Sequence, residues 1–125
     1  MRLILVRHAE AAPGEPDELR PLTPRGREQA RELGERLPRP DAVLTSPLLR
    51  ARETAALLAR PHGLEPEPDE RLAPGASDVG VRDAIEGRGE TVVVVGHQPD
   101  CGIVASRLGA GEVRFAPGGH CVVEL

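Results

Sequence analysis

Uninterrupted apolar runs mark the positions of the predicted strands. Leu3–Val6 carries only aliphatic side chains, and Thr91–Val95 is a threonine followed by four valines. Continuous runs of this kind are typical of strands that a parallel sheet buries on both faces. Ala42–Leu44 is a shorter run of the same character. We therefore predict three strands here, with Thr91–Val95 in the centre of the sheet.

Helices are predicted where apolar residues recur every three or four positions after a capping signal. Thr23-Pro24 combines a good N-cap with a proline that suits the first turn of a helix. The apolar face of this helix consists of Ala30, Leu33 and Leu37. Ser46-Pro47 repeats the signal, so we predict that Ser46 caps a second helix. A further helix follows Pro99 and ends at Gly109, with apolar positions at Ile103, Val104 and Leu108.

The alternation of strands and helices predicts an α/β domain with a largely parallel sheet. Residues 61–80 are rich in proline and glycine, and they predict a loop with an edge strand near Glu65–Glu67. A short helix is predicted over Val79–Ile85. Val113–Phe115 and Cys121–Leu125 are predicted to form a closing hairpin. No linker or repeat divides the chain, so we predict one domain over residues 1–125.

Composition narrows the classes of function. The 125 residues include one Phe and no Tyr or Trp, so there is no aromatic platform for stacking bases, and the net charge is −4. Both facts argue against nucleic-acid binding. No apolar run approaches the roughly 20 residues that cross a bilayer. Two cysteines are too few for a disulfide framework, so we expect a cytoplasmic protein with reduced thiols. We also expect the protein to be a monomer.

The candidate chemistry lies where the predicted strands end. Leu3–Val6 leads into Arg7-His8, and Thr91–Val95 leads into Gly96-His97. Ligands of open α/β sheets bind beyond the carboxyl ends of the strands, so we expect the two histidines to face each other there. Arg50 follows the third strand and is expected to point over the same edge, and Arg20 lies in a loop that can fold over it. Guanidinium and imidazole groups together suit an oxyanion, above all a phosphoryl group.

These residues belong to a series of motifs that resembles the histidine phosphatase superfamily, also called the phosphoglycerate mutase-like family. The motifs appear in the expected order: Arg7-His8-Ala9, Leu22-Thr23-x-x-Gly26, Ser46-Pro47-Leu48-x-Arg50-Ala51-x-x-Thr54 and Gly96-His97-x-Pro99. Arg20-Pro21-Leu22-Thr23 and the short length are similar to the SixA type of phosphohistidine phosphatase. The resemblance covers residues 1 to about 108. It implies a three-layer α/β/α fold with a mostly parallel central sheet.

The resemblance also implies roles for the site residues. His8 matches the family's nucleophile, which carries a transient phosphoryl group. Arg7 and Arg50 match the two core phosphate-binding arginines, and His97 matches the second histidine that donates to the phosphoryl oxygens. Arg20 matches a further pocket arginine of the SixA type. Because side chains cradle the phosphate, neither a metal nor a cofactor is implied.

One departure from the family pattern bears on the substrate. Many members place a glutamate general acid where this chain has the segment from Arg71 to Ser77, which contains no carboxylate. A phosphomonoester needs a protonated leaving group, and losing general-acid help costs about 10²–10⁴-fold. A phosphohistidine needs this help less, because its leaving group is an imidazole. Asp17 and Glu18, in the loop beside Arg20, are the alternative proton sources, and Asp17 is also a candidate substrate-binding residue.

Three functions stay open from the sequence. The first is a phosphatase for phosphohistidine on a protein partner, such as a histidine phosphotransfer domain or a phosphotransferase-system carrier. The second is a phosphomonoesterase for small phosphate esters at the same site. The third is a phosphate-binding module without turnover, against which the complete set of Arg7, His8, Arg50 and His97 argues.

Overall fold

A five-stranded sheet with helices on both faces organises the chain. The computed structural model describes residues 1–125, with the strands in the order β3-β2-β4-β1-β5. The strands are β1 (Arg2–Arg7), β2 (Ala42–Thr45), β3 (Glu67–Pro68), β4 (Thr91–Gly96) and β5 (His120–Glu124). The helices are α1 (Pro24–Arg36), α2 (Leu49–Ala59), α3 (Asp78–Ile85) and α4 (Asp100–Ala105). β4 lies between β1 and β2 and runs parallel to both, which confirms its prediction as the central strand.

The alternation of side chains along β1 and β4 creates the two cores of the fold. Leu3 and Leu5 of β1 point to one face, where they join a cluster that includes residues of α3 and α4. Ile4 and Val6 point to the other face and pack with residues of α1 and α2. Because successive strand residues face opposite sides, an entirely apolar strand requires a helical layer on each face. The result is the three-layer α/β/α arrangement that the resemblance implied.

The start of α1 confirms the predicted cap. The Thr23 hydroxyl accepts a hydrogen bond from the Gly26 amide, and Pro24 occupies the first turn. Gly26 lies directly against the backbone of Glu10: a Cβ atom built on Gly26 would be 2.0 Å from the Glu10 carbonyl oxygen. Only glycine fits this approach. The first turn of α1 is therefore packed onto the residues that follow His8.

The prediction that Ser46 caps the second helix is wrong. Helix α2 begins at Leu49 and Leu48 occupies its N-cap position. The Ser46 amide still donates to Val95 at 3.0 Å, as a continuation of the sheet. Its hydroxyl accepts from the Leu48 amide at 3.2 Å and also contacts His97. The serine therefore closes a turn between strand and helix and faces the site.

The predicted C-terminal hairpin is also wrong. His120–Glu124 forms β5, but it pairs antiparallel with β1 at the edge of the sheet, and Val113–Phe115 is not a strand. Phe115 is buried in the core beneath α4, and its carbonyl accepts a hydrogen bond from the Arg7 side chain. These contacts hold the segment away from β5. The edge strand and the short helix predicted between residues 61 and 85 are confirmed as β3 and α3.

None of the helices combines the length and the apolar character that a membrane span needs.

Candidate active site

The two histidines meet because β1 and β4 are adjacent and in register. Arg7 of β1 pairs with Gly96 of β4, and the His8 amide donates to the Gly96 carbonyl at 2.9 Å. His8 and His97 therefore leave the sheet side by side. Their ring centroids are 5.3 Å apart, with the planes tilted by 58°. The expectation that these residues face each other at the carboxyl edge agrees with the geometry.

The His8 ring is fixed in one orientation by the backbone next to it. Its Nδ1 lies 2.8 Å from the Ala9 carbonyl oxygen, an acceptor, so Nδ1 carries the proton and Nε2 keeps its lone pair. The Ala9 amide donates to the Thr54 hydroxyl at 3.0 Å, and that hydroxyl donates to the Arg50 carbonyl at 2.8 Å. Thr54 thus ties the turn after β1 to helix α2. The arrangement leaves Nε2 as the free nitrogen of His8.

Burial keeps His8 neutral. Desolvation lowers the pKa of its imidazole, and the positive charges of Arg50 and Arg7 lower it further, against the opposing effect of the hydrogen bond to Ala9. A neutral imidazole is the form that can act as a nucleophile. The same arginines that suit an anion therefore also maintain the reactive form of His8.

His97 is more deeply buried and is neutral as well. Burial lowers the pKa of its imidazole to about 4, and the positive charge of Arg50 acts in the same direction. Its Nε2 is 2.7 Å from the Ser46 hydroxyl, while its Nδ1 is buried without a hydrogen-bond partner. The Ser46 oxygen accepts from the Leu48 amide, which leaves the hydroxyl proton available for Nε2. When Ser46 donates to Nε2, the proton of neutral His97 lies on Nδ1.

The low pKa of His97 predicts a loss of stability in mild acid. The unfolded chain binds the proton near the ordinary pKa of 6.5, whereas the folded protein resists it down to about 4. Stability contributed by neutral His97 is therefore complete above pH 6.5 and is lost as the pH falls from 6.5 to 4. The expected decrease in unfolding free energy is up to about 3 kcal/mol. The measurement is the free energy of urea unfolding between pH 6.5 and 4 for the native protein and for His97→Gln. The same pH dependence in both proteins would contradict the low pKa of His97.

Three arginines surround the histidines, and two of them share one acidic residue. Arg50 is buried, and its guanidinium donates to the Asp17 carbonyl at 2.9 Å and to the Asp17 carboxylate at 3.2 Å. Arg20 donates to the other carboxylate oxygen at 3.0 Å and to the Ala12 carbonyl at 2.8 Å. Arg7 donates to the Phe115 carbonyl at 2.9 Å, and its Nε is buried without a partner.

The carboxyl group of Asp17 is ionised in this arrangement. The hydrogen bond from Arg20 is the largest cause that holds its pKa below the usual range, and Arg50 adds to it through charge and a second hydrogen bond. An ionised carboxylate has no proton to give. In the state described here, Asp17 acts as an acceptor for the arginines and is not poised as a general acid.

The segment from Arg71 to Ser77, which lacks the glutamate of many family members, contacts the carboxylate of Asp100. Gly75 donates its amide to Asp100, at the start of α4, with a distance of 2.8 Å. Nothing in the sequence pattern predicted this contact of Asp100, because the residue lies on another element. Ser46 was predicted only as a helix cap, and the motif that contains Thr54 did not predict the hydrogen bonds of its hydroxyl. No group of three or more His, Cys, Asp or Glu side chains is arranged to hold a metal ion.

A parallel sheet that brings two histidines and three arginines to one carboxyl edge defines an α/β protein with an anion site suited to phosphoryl groups. A family model described as "Histidine phosphatase superfamily (branch 1)" matches residues 3–74. His97 lies beyond that range, and its place in the site comes from the fold. An uncharacterised protein of Picosynechococcus sp. PCC 7002 is 38% identical, over 90% of this chain and 75% of that protein.

Solved structures resemble the whole chain. A structure assigned to the phosphohistidine phosphatase SixA of Nakamurella multipartitia has a TM-score of 0.83 and 27% identity, over 97% of this chain and 82% of that one. A SixA structure from Agrobacterium tumefaciens has a TM-score of 0.80 and 28% identity, over 97% and 89%. The chain belongs to the histidine phosphatase superfamily and is of the SixA type. Family and fold assign it to the phosphatases.

Proposed function

We propose that this chain is, as a single domain, a metal-independent phosphatase that removes phosphoryl groups from phosphohistidine on a partner protein. The observation that carries the proposal is the free Nε2 of His8, which lies beside His97 among Arg7, Arg20 and Arg50. Nε2 attacks phosphorus while the bond from phosphorus to the substrate imidazole breaks, and that imidazole takes up a proton from solvent. Water then attacks phospho-His8, which releases inorganic phosphate and restores the imidazole.

Two buried donors without partners indicate where the phosphoryl oxygens bind on this proposal. Nδ1 of His97 and Nε of Arg7 are buried without a partner, and an unpaired buried donor is costly unless a ligand satisfies it. Donors fixed in advance around the developing charge are the main source of catalysis in phosphoryl transfer. On this proposal, Arg7, Arg50 and His97 hold the oxygens, and Arg20 reaches the outer side of the group.

The choice of phosphohistidine rests on the leaving group. The loop from Ala73 to Ser77 has no carboxylate of its own, and the Asp100 carboxylate that contacts it accepts from the Gly75 amide. Asp17 is ionised. An alkoxide leaves poorly without a proton, whereas an imidazole protonates readily in water. The site therefore suits a phosphoramidate better than an alkyl phosphate.

An open surface next to the site supports a protein-borne substrate. Gln98, directly after His97, lines an open groove of about 530 Å³ that runs along α4 to Val113. Only residues 97–99 separate β4 from α4 beside this groove, and the longer connection after β1 is exposed over residues 13–19. The groove lies next to the site, because Gln98 follows His97 directly, and it offers a partner protein a surface on which to rest. The names of the SixA structures, which describe phosphohistidine phosphatases, point to the same substrate.

The proposal is tested by comparing three substrates: a phosphohistidine protein, an alkyl phosphate such as glycerol phosphate, and an activated aryl phosphate. We expect kcat/KM for the alkyl phosphate to be at least about 10²-fold below that for phosphohistidine, with the aryl ester between them. A chelator is expected to leave all three rates unchanged. Efficient hydrolysis of the alkyl ester without action on phosphohistidine would favour the phosphomonoesterase. Absence of turnover on every substrate would favour a binding module.

A further inference from the structure

The candidate phosphate site contains an anionic side chain, the carboxylate of Asp17. Its carboxylate lies between Arg20 and Arg50, with one oxygen bonded to each guanidinium, and its carbonyl oxygen accepts from Arg50 as well. Both terminal nitrogens of Arg50 are thus engaged by the same residue. A phosphoryl group offers these arginines the same kind of acceptor, because both ligands present oxygens with negative charge.

The segment that carries Asp17 is built so that it can move away. Its base is fixed, since Ala11 pairs with Leu22, the Ala12 amide donates to Pro21, and Arg20 donates to Ala12. Residues 13–19 between these contacts are all exposed. Their side-chain hydrogen bonds to the rest of the protein are those of Asp17 with Arg20 and Arg50. Release of Asp17 therefore requires no loss of buried core.

The burial of the charged Arg50 side chain explains why the contact with Asp17 forms. Its side chain is 9% exposed, whereas that of Asp17 is 58% exposed. A buried cation without an anionic partner is strongly unfavourable. Asp17 supplies that partner at little cost to itself, because its carboxylate stays largely in water.

We propose that Asp17 is an internal competitor for the phosphoryl site, which holds Arg50 and Arg20 until a substrate phosphoryl group displaces it. The proposal rests on the proposed function in one respect, that Arg50 binds the phosphoryl group. Free inorganic phosphate must displace Asp17 from Arg50 and Arg20 through the contacts of its own oxygens alone. A phosphoryl group on a protein has additional contacts outside the pocket. Asp17 therefore makes the enzyme selective for protein-borne phosphate and limits inhibition by its own product.

The test compares anion binding by the native protein, Asp17→Asn and Glu18→Gln. Each substitution removes one negative charge from the same exposed segment, but Glu18 makes no ion pair. Titration calorimetry with tungstate, and inhibition of aryl phosphate hydrolysis by inorganic phosphate, are measured for all three. We expect Asp17→Asn to bind both anions about three- to tenfold more tightly. Glu18→Gln is expected to match the native protein within about twofold.

A second measurement separates displacement from a general effect of charge. Backbone amide resonances of residues 14–20 are expected to shift when tungstate is added to the native protein, because the segment leaves Arg50. Equal gains in the two variants, weaker binding by Asp17→Asn, or an unmoved segment would each overturn the competitor role. So would a failure of all three proteins to bind either anion. Hydrolysis of phosphohistidine is scored separately, so a failed competitor role with intact turnover leaves the proposed function standing.

Discussion

Replacement of His8 by alanine is expected to eliminate turnover and to prevent covalent labelling of the protein. The free Nε2 beside His97 has no substitute among the surrounding side chains, because His97 is bonded to Ser46 through its own Nε2. Loss of a nucleophile costs on the order of 10⁴-fold or more in kcat. Rapid quenching with a radiolabelled phosphohistidine protein measures the acid-labile phosphoenzyme directly.

His62→Gln provides the matched control for this experiment. His62 is a histidine remote from the site, where its Nε2 contacts the Gly34 carbonyl at 2.9 Å beside helix α1. This variant is expected to label and turn over as the native protein does. Acid-labile label on His8→Ala at the native level would refute His8 as the nucleophile, whatever the steady-state rate.

Replacement of Arg50 by alanine is expected to lower kcat by about 10²–10³-fold, which corresponds to the loss of one strong donor to the transferred group. Arg50 is buried and directed toward the site, so water cannot reproduce its charge at the same position. The same substitution removes the positive charge that helps to lower the pKa of His8. The acidic limb of the pH profile of kcat/KM is therefore expected to move to higher pH.

Arg52→Ala serves as the control on the same helix. Arg52 is exposed, two residues beyond Arg50, and it forms no ion pair. Its removal changes net charge by the same amount and is expected to leave kcat within about twofold of the native value. Equal losses in the two variants would show that the effect of Arg50 is a general effect of charge. Thermal unfolding of both variants separates loss of activity from loss of folded protein.

The central part of the fold and the meeting of the histidines could be predicted from sequence. Leu3–Val6 and Val92–Val95 are apolar on every residue, which requires burial on both faces and hence a parallel sheet between helices. Once both strands are parallel neighbours, the residues after them must lie at one edge. The position of Arg50 after the third strand predicted that it points over this edge, and the resemblance added its role as a phosphate-binding arginine.

The errors occurred where tertiary contacts override a local pattern. Ser46-Pro47 has the sequence of a helix cap, but hydrogen bonds to Val95 and His97 hold Ser46 at the end of the sheet. Val113–Phe115 has the sequence of a strand, but burial of Phe115 directs the chain elsewhere. The pairing of Asp17 with Arg50 joins residues 33 positions apart through a loop. No periodicity encodes such a contact.

Hydrogen bonds to residues 115–119 link Arg7 to the segment that precedes β5. Its side chain donates to the Phe115 carbonyl, its amide donates to the Gly119 carbonyl, and the Gly118 amide donates back to the carbonyls of Arg7 and His8. Gly118 lies more than a hundred residues after His8 along the chain, so part of the backbone support of the imidazole is made long after the imidazole itself. A nascent chain therefore carries the imidazole of His8 for more than a hundred residues of synthesis before these backbone contacts can form.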